Sequence, residues 1–155
     1  NGNIVSLQMT DVDKIELFDD HCFLNTGSPH HVEMVDNVME FPVYEIGKKK
    51  RFGAPYFDQG SNINFVEALS DYKFKLRTYE RGVENETLSC GTGATATAIA
   101  MFETGKSSSN KIELEVMGGI LEVSFEQINN KYQNVFLTGE ATFVFSGRID
   151  MSIEY

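Results

Sequence analysis

Gly93-Ala94-Thr95-Ala96-Thr97-Ala98-Ile99-Ala100-Met101-Phe102 is the stretch that decides the fold. It is long enough for almost three helical turns and carries no charge on any face. Gly105 supplies a stop signal, and Lys106 lies near the negative end of the helix dipole. A helix that is small or apolar all round has to be enclosed by protein. The segments around it read as strands. His31-Val32-Glu33-Met34-Val35 and Lys73-Phe74-Lys75-Leu76-Arg77 alternate outward and inward, as half-buried strands do. Ile112, Leu114 and Val116 are followed by Gly118-Gly119 and then by Leu121, Val123 and Phe125, which predicts a hairpin turning at the glycine pair. A second hairpin is predicted at Thr138-Gly139, between residues 134–137 and 142–145. Pro42 to Arg51 reads as a second helix, with Pro42 in its first turn and Gly53 beyond its end. The expected class is α+β, a mixed, largely antiparallel sheet wrapped around a buried central helix. The only low-complexity loop, Ser107 to Asn110, is too short to divide residues 1–155 into domains.

Composition narrows the function. The 155 residues suit one domain, and 41% hydrophobic with 23% charged residues is ordinary for a soluble globular protein. Thirteen basic against 23 acidic residues give a net charge of −10, which argues against a nucleic-acid backbone as partner. No apolar run approaches the roughly 18 residues of a membrane span. No secretory signal opens the sequence given, so no membrane association and a cytoplasmic location are expected. Two cysteines, Cys22 and Cys90, are too few for a disulfide framework and fit a reduced compartment. No metal site is expected: His30 and His31 are adjacent and point to opposite faces of a strand, and there is no Cys-x-x-Cys. Gly105-Lys106-Ser107 lacks the glycine that a phosphate loop needs at Ala100, and Ala96 occupies the third glycine position of a dinucleotide fingerprint, so neither nucleotide-binding motif is read here. Lys48-Lys49-Lys50-Arg51 reads as a solvated face at a helix end.

The chemistry concentrates at Cys90, which ends an extended stretch immediately before the uncharged helix. Free N–H groups and the positive dipole end at such a place favour an anion. A thiol there is expected to have a lowered pKa, with thiolate accessible near neutral pH. The glycines at 91 and 93 are expected to leave backbone N–H groups uncovered for a ligand carboxylate. Cys22, in Asp20-His21-Cys22-Phe23-Leu24, has a strand-like context without glycines and reads as a packing residue.

Glu80-Arg81-Gly82 followed by Glu86-Thr87-Leu88-Ser89-Cys90-Gly91-Thr92-Gly93 resembles the signature around the second active-site cysteine of the diaminopimelate epimerase family. Three upstream segments resemble that family in order and spacing: Thr26-Gly27-Ser28-Pro29-His30-His31-Val32, Gly47 to Arg51, and Gly60-Ser61-Asn62-Ile63-Asn64-Phe65-Val66. The resemblance implies a cofactor-independent epimerase that interconverts LL- and meso-diaminopimelate for lysine and peptidoglycan precursors. Two cysteines face the α-carbon from opposite sides, one removing a proton as thiolate and the other delivering one as thiol. Carried over to this chain, Cys90 is one acid/base, and Gly91 and Thr92 bind the carboxylate. Glu80 and Arg81 reach the ammonium and carboxylate ends of the substrate, and His30 and Glu80 tune the cysteines. Asn62 is a polar contact at the substrate's far end. Ser28 stands where many members have Asn and is a further candidate substrate contact.

The departures from the family are equally specific. Its first cysteine lies in a Cys-Gly-Asn-Gly-x-Arg motif with no counterpart here, and the loop Val83-Glu84-Asn85 is one residue longer than the common pattern. The resemblance therefore implies the C-terminal half of a chain of two pseudo-symmetric halves. Terminal strands would be shared with an N-terminal half, and the isolated piece would be inactive. Exposed edges leave room for a homodimer. Two other readings stand beside this one: an epimerase or racemase of another amino acid, as in the proline racemase group, and an isomerase-like binding module without thiol chemistry, as in the phenazine-biosynthesis relatives.

Overall fold

In the computed structural model, which describes residues 3–149, the chain runs in order through β1 (Asn3–Gln8), β2 (Ile15–Leu17), β3 (Cys22–Asn25), β4 (Pro29–Met34), α1 (Val43–Phe52), β5 (Asn62–Ala68), β6 (Lys73–Glu80), β7 (Asn85–Thr87), α2 (Gly91–Glu103), β8 (Lys111–Val116), β9 (Gly119–Ile128) and β10 (Lys131–Ala141). The strands form one mixed sheet in the order β1-β10-β9-β8-β6-β5-β4-β3-β2, with β7 added on β6. Only β4–β5 and β6–β8 pair in parallel. The α1 and α2 segments lie between the members of these parallel pairs, as parallel neighbours require a crossover.

The sheet curls around α2, which touches β3 to β6 and β8 to β10. Every residue from Gly93 to Met101 is buried. The two threonines inside this stretch leave no orphan hydroxyl. Thr95 donates to the Gly91 carbonyl at 3.0 Å and Thr97 to the Gly93 carbonyl at 2.8 Å. Gly105 follows the helix in the left-handed region (φ 69°) and stops it, as its position in the sequence suggests. Cys22 is also buried in this main core and packs as a small apolar side chain.

A smaller core lies on the outer face, where Val43 of α1 meets Ile63, Phe65 and Tyr79. Strand β5 is thus covered twice. Val66 joins the core around α2, Ile63 and Phe65 join the core under α1, and every residue from Asn62 to Val66 is buried. The contact under α1 is close enough that a Cβ on Gly47 would lie 2.5 Å from Cβ of Tyr79.

Several expectations need correction. The Gly118-Gly119 hairpin forms between β8 and β9, but no turn occurs at Thr138-Gly139. Strand β10 runs straight through, with Gly139 paired to Leu121 on one side and to Val5 on the other. Residues 142–145 lie beyond it outside any strand, with Phe143, Val144 and Phe145 each 81% exposed. The turn that does reverse the chain is Asn129-Asn130, both at positive φ (52° and 60°), where short polar side chains are tolerated. Strand β4 does not alternate as expected, because His30, His31 and Val32 are all buried. The helix-end cations are not all solvated either. Arg51 is buried, with Nη2 2.8 Å from the Glu84 carboxylate, and Lys50 pairs with Glu33 at 3.0 Å. Lys73-Arg77 does alternate, but its outward Arg77 is held. It makes a bidentate pair with Glu86 and donates to the carbonyls of Val38, Met39 and Phe41.

Because Ile99 sits at the middle of α2 with no exposed surface, Ile99→Ala is expected to lower stability by about 2–5 kcal/mol. Urea unfolding followed by circular dichroism measures this, as a fall in midpoint with an unchanged slope.

Candidate active site

The site arises from strand register. Along the inner face, β4, β5 and β6 present apolar side chains at one end, Val32, Val66, Phe74 and Leu76. At the other end the same face presents His30, Asn62, Asn64, Thr78 and Glu80. The pairing sets His30 opposite Asn62 and Asn64 opposite Thr78. The first turn of α2 reaches this polar end. Thr26, on the turn between β3 and β4, donates to the Thr92 carbonyl at 2.9 Å. A Cβ on Gly93 would lie 2.5 Å from Asn64 Oδ1 and 3.2 Å from Cys90 Sγ. The close approach of α2 to Asn64 thus leaves no room for a side chain at Gly93.

Cys90 is the N-cap of α2, with extended backbone (φ −130°, ψ 105°) and only 7% of its surface exposed. Its sulfur lies 3.5 Å from the Thr92 hydroxyl. Burial pushes the thiol up from its ordinary range, and the Glu80 carboxylate adds to this. The Thr92 hydroxyl and the N–H groups of Gly93 and Thr92 pull the other way without reversing the shift. The lowered pKa expected from the helix end is thus outweighed, in this chain, by desolvation.

Most of the remaining candidates belong to a hydrogen-bonded frame at the same polar strand end. Glu80 accepts from the Thr87 hydroxyl at 2.9 Å. Asn62 is 4% exposed and fully engaged. Its Nδ2 donates to Ser28 Oγ (3.0 Å) and the Pro29 carbonyl (2.9 Å), and its Oδ1 accepts the Arg81 N–H (2.9 Å). Arg81 also donates from Nη1 to the Gln59 carbonyl at 2.9 Å. His30 is wholly buried between Ser28 Oγ (3.0 Å) and Asn64 Nδ2 (3.1 Å). Burial, with the Arg81 charge beside it, holds His30 down at about 3, so near neutral pH it acts through hydrogen bonds and not as a cation. Gly91 and Thr92, half-buried, open the helix.

Sequence reasoning missed Asn64 and Thr78. Asn64 is the second of two asparagines in the segment Gly60 to Val66, and only its register with Thr78 and its contact with His30 identify it as a hub. Among the described residues no group of three or more His, Cys, Asp or Glu is gathered as for a metal ion, and no helix is long and apolar enough to cross a membrane. A groove of about 800 Å³ does not contain Cys90. It lies beside it, lined by Ser89, Ile4, Val116, Ile120 and Leu121 among others.

The sheet curled round a central helix is a fold shared with two solved structures. A probable proline racemase from Agrobacterium radiobacter superimposes with a TM-score of 0.65 at 14% identity, over 96% of this chain and 54% of that one. A hydroxyproline epimerase from Agrobacterium vitis superimposes with a TM-score of 0.57 at 12% identity, over 88% of this chain and 49% of that one. The family model for diaminopimelate epimerase matches residues 22–144. A diaminopimelate epimerase of Flavobacterium psychrophilum is 56% identical over 96% of this chain, and one of Aquifex aeolicus is 40% identical over 84%. The chain belongs to the diaminopimelate epimerase family. It spans 58% and 46% of the length of those two relatives.

The buried neutral His30 has a pH consequence. Its folded pKa lies below the unfolded value of 6.5, so its contribution to stability is complete above about 6.5 and is lost as pH falls towards 3. Unfolding midpoints in urea are expected to drop over that window, and His30→Gln should flatten the slope by up to one proton.

Proposed function

We propose that this chain is the Cys90-bearing half of a diaminopimelate epimerase, interconverting the LL and meso forms without a cofactor, in lysine and peptidoglycan precursor synthesis. The observation that carries it is the seating of Cys90 at the start of α2, within the electrostatic reach of Glu80 and beside the Thr92 hydroxyl, in a chain of this family. Inversion needs a base on one face of the α-carbon and an acid on the other. A thiolate takes the α-proton, and the electron pair of the broken C–H bond spreads into the carboxylate. A thiol opposite then delivers its proton to the α-carbon, regenerating one thiol and one thiolate. Cys90 supplies one of these groups, and a second cysteine in an N-terminal half supplies the other.

The developing charge on the carboxylate calls for preorganised donors, and the N–H groups of Gly91 and Thr92 at the positive end of α2 suit that role. Glu80 takes the ammonium and Arg81 a carboxylate, each held in place by its own protein partner. Cys90 rests as the thiol in this chain, which fits the acid role. In the opposite direction the helix-end N–H groups and the Thr92 hydroxyl stabilise its thiolate. Exposed apolar side chains around the groove beside Ser89, Ile4 (71% exposed), Leu88 (67%) and Ile120 (57%), support coverage of this side by the N-terminal half. On this reading the 155-residue piece alone does not turn over.

The test uses the complete protein that carries this sequence as its second half. Exchange of the substrate α-proton for solvent deuterium should fall by about 10²–10⁴-fold in Cys90→Ala. An undiminished rate sinks the assignment of Cys90. A panel of diaminopimelate against proline separates this reading from a proline racemase, since only diaminopimelate carries a second amino-acid centre.

A further inference from the structure

We propose that Asn64, oriented by Thr78, fixes His30 as its Nε2–H tautomer and so makes Ser28 a donor-only hydroxyl that selects a carboxylate oxygen of the substrate. The argument is one of donors and acceptors. Asn64 has no exposed surface, and its amide is pinned at both ends. Oδ1 accepts from the Thr78 hydroxyl at 3.0 Å, and Nδ2 donates to the His31 carbonyl at 2.8 Å. A flipped amide would set oxygen against the His31 carbonyl oxygen, two acceptors face to face. The second Nδ2 hydrogen is therefore the one that meets His30 Nδ1 at 3.1 Å. Nδ1 has to be the lone-pair nitrogen, and a neutral imidazole then carries its proton on Nε2.

That proton points at Ser28 Oγ, 3.0 Å away. Asn62 Nδ2 also donates to Ser28 Oγ, at 3.0 Å. The orientation of Asn62 is equally determined, since its Oδ1 takes the Arg81 N–H and its Nδ2 also reaches the Pro29 carbonyl. Two donors occupy both lone pairs of the serine oxygen. What remains is its own O–H, on a half-buried residue in the turn that Thr26 ties to the first turn of α2. A group in that state can donate once and cannot accept. It fits a carboxylate oxygen and rejects an ammonium, whereas an amide side chain at the same place could serve either. Ser28 is in this sense a specificity residue, and Asn64 and Thr78 are positioning residues acting through His30. That the acceptor is a diaminopimelate carboxylate rests on the function proposed above.

The tautomer is read without turnover. In the complete protein, nitrogen-15 spectra of the His30 ring should show a protonated Nε2 and a bare Nδ1, unchanged between pH 5 and 9. A protonated Nδ1 overturns the proposal. Kinetics reads the consequence. Ser28→Ala should raise the KM for diaminopimelate about tenfold, the scale of one hydrogen bond to a charged group, with kcat much less affected. Ser28→Thr, which keeps the hydroxyl, should recover most of that loss. Asn64→Asp presents a carboxylate oxygen to Nδ1, draws the proton there and turns Nε2 into an acceptor that captures the serine O–H. It should raise KM about as much, and the double variant should be no worse than either single one. Additive losses overturn the proposal. If Asn64→Asp does not fold, the wild-type tautomer and the Ala/Thr contrast at position 28 decide it. A Cys90→Ala enzyme with full activity removes the proposed function but leaves the tautomer reading standing.

Discussion

The enclosure of α2 is the constraint on which the rest of the structure depends. A helix with no charged face between Gly93 and Met101 cannot meet water anywhere along that length, so the sheet has to wrap it, from β3 and β4 on one side round to β10 on the other. Small side chains make this feasible. The alternating alanines let strands approach closely, and the two threonines return their hydroxyls to the helix's own carbonyls. A helix so enclosed has its position fixed to within side-chain packing. Its N-terminal N–H groups are therefore also fixed.

Wrapping creates a second demand at the helix start. The enclosing strands are apolar where they pass the body of α2, but polar at the end where its first turn arrives. There the Thr26 hydroxyl donates to the Thr92 carbonyl, and the polar strand side chains bond chiefly one another. His30, Asn62, Asn64 and Thr78 are a fully engaged polar lining, each member oriented by the next. Such a network rigidifies a site only when every donor and acceptor is matched. Here matching leaves over the groups that face outward: the Ser28 hydroxyl, the Glu80 carboxylate and the helix-end N–H groups.

The legible part of this fold was whatever depends on local pattern. The uncharged run at 93–102, the Gly118-Gly119 hairpin and the α1 helix after Pro42 all announce themselves within a few residues. The sequence around Cys90 marked a candidate site, and the structure sets the Thr92 hydroxyl and the Glu80 carboxylate near its sulfur. What escaped depends on contacts remote in sequence. Thr138-Gly139 has turn composition, yet β1 and β9 hold it straight from both sides. The real turn at Asn129-Asn130 lacks glycine and went unread. Arg51 looked like part of a solvated basic run until Glu84, from another loop, met it. Asn64 gives no local sign of its role, since only pairing register sets it against Thr78.

Cys90 shows the same division in energetic terms. The helix-end argument correctly identifies forces that favour the thiolate, and those forces are present as N–H and hydroxyl contacts to the sulfur. Desolvation works against them and prevails, because the residue is almost completely buried and shares its neighbourhood with the Glu80 carboxylate. Both influences come from the one requirement that α2 be enclosed: the wrap that supplies an ordered helix end also strips water from its cap. A thiol held this way is kept protonated chiefly by its own burial.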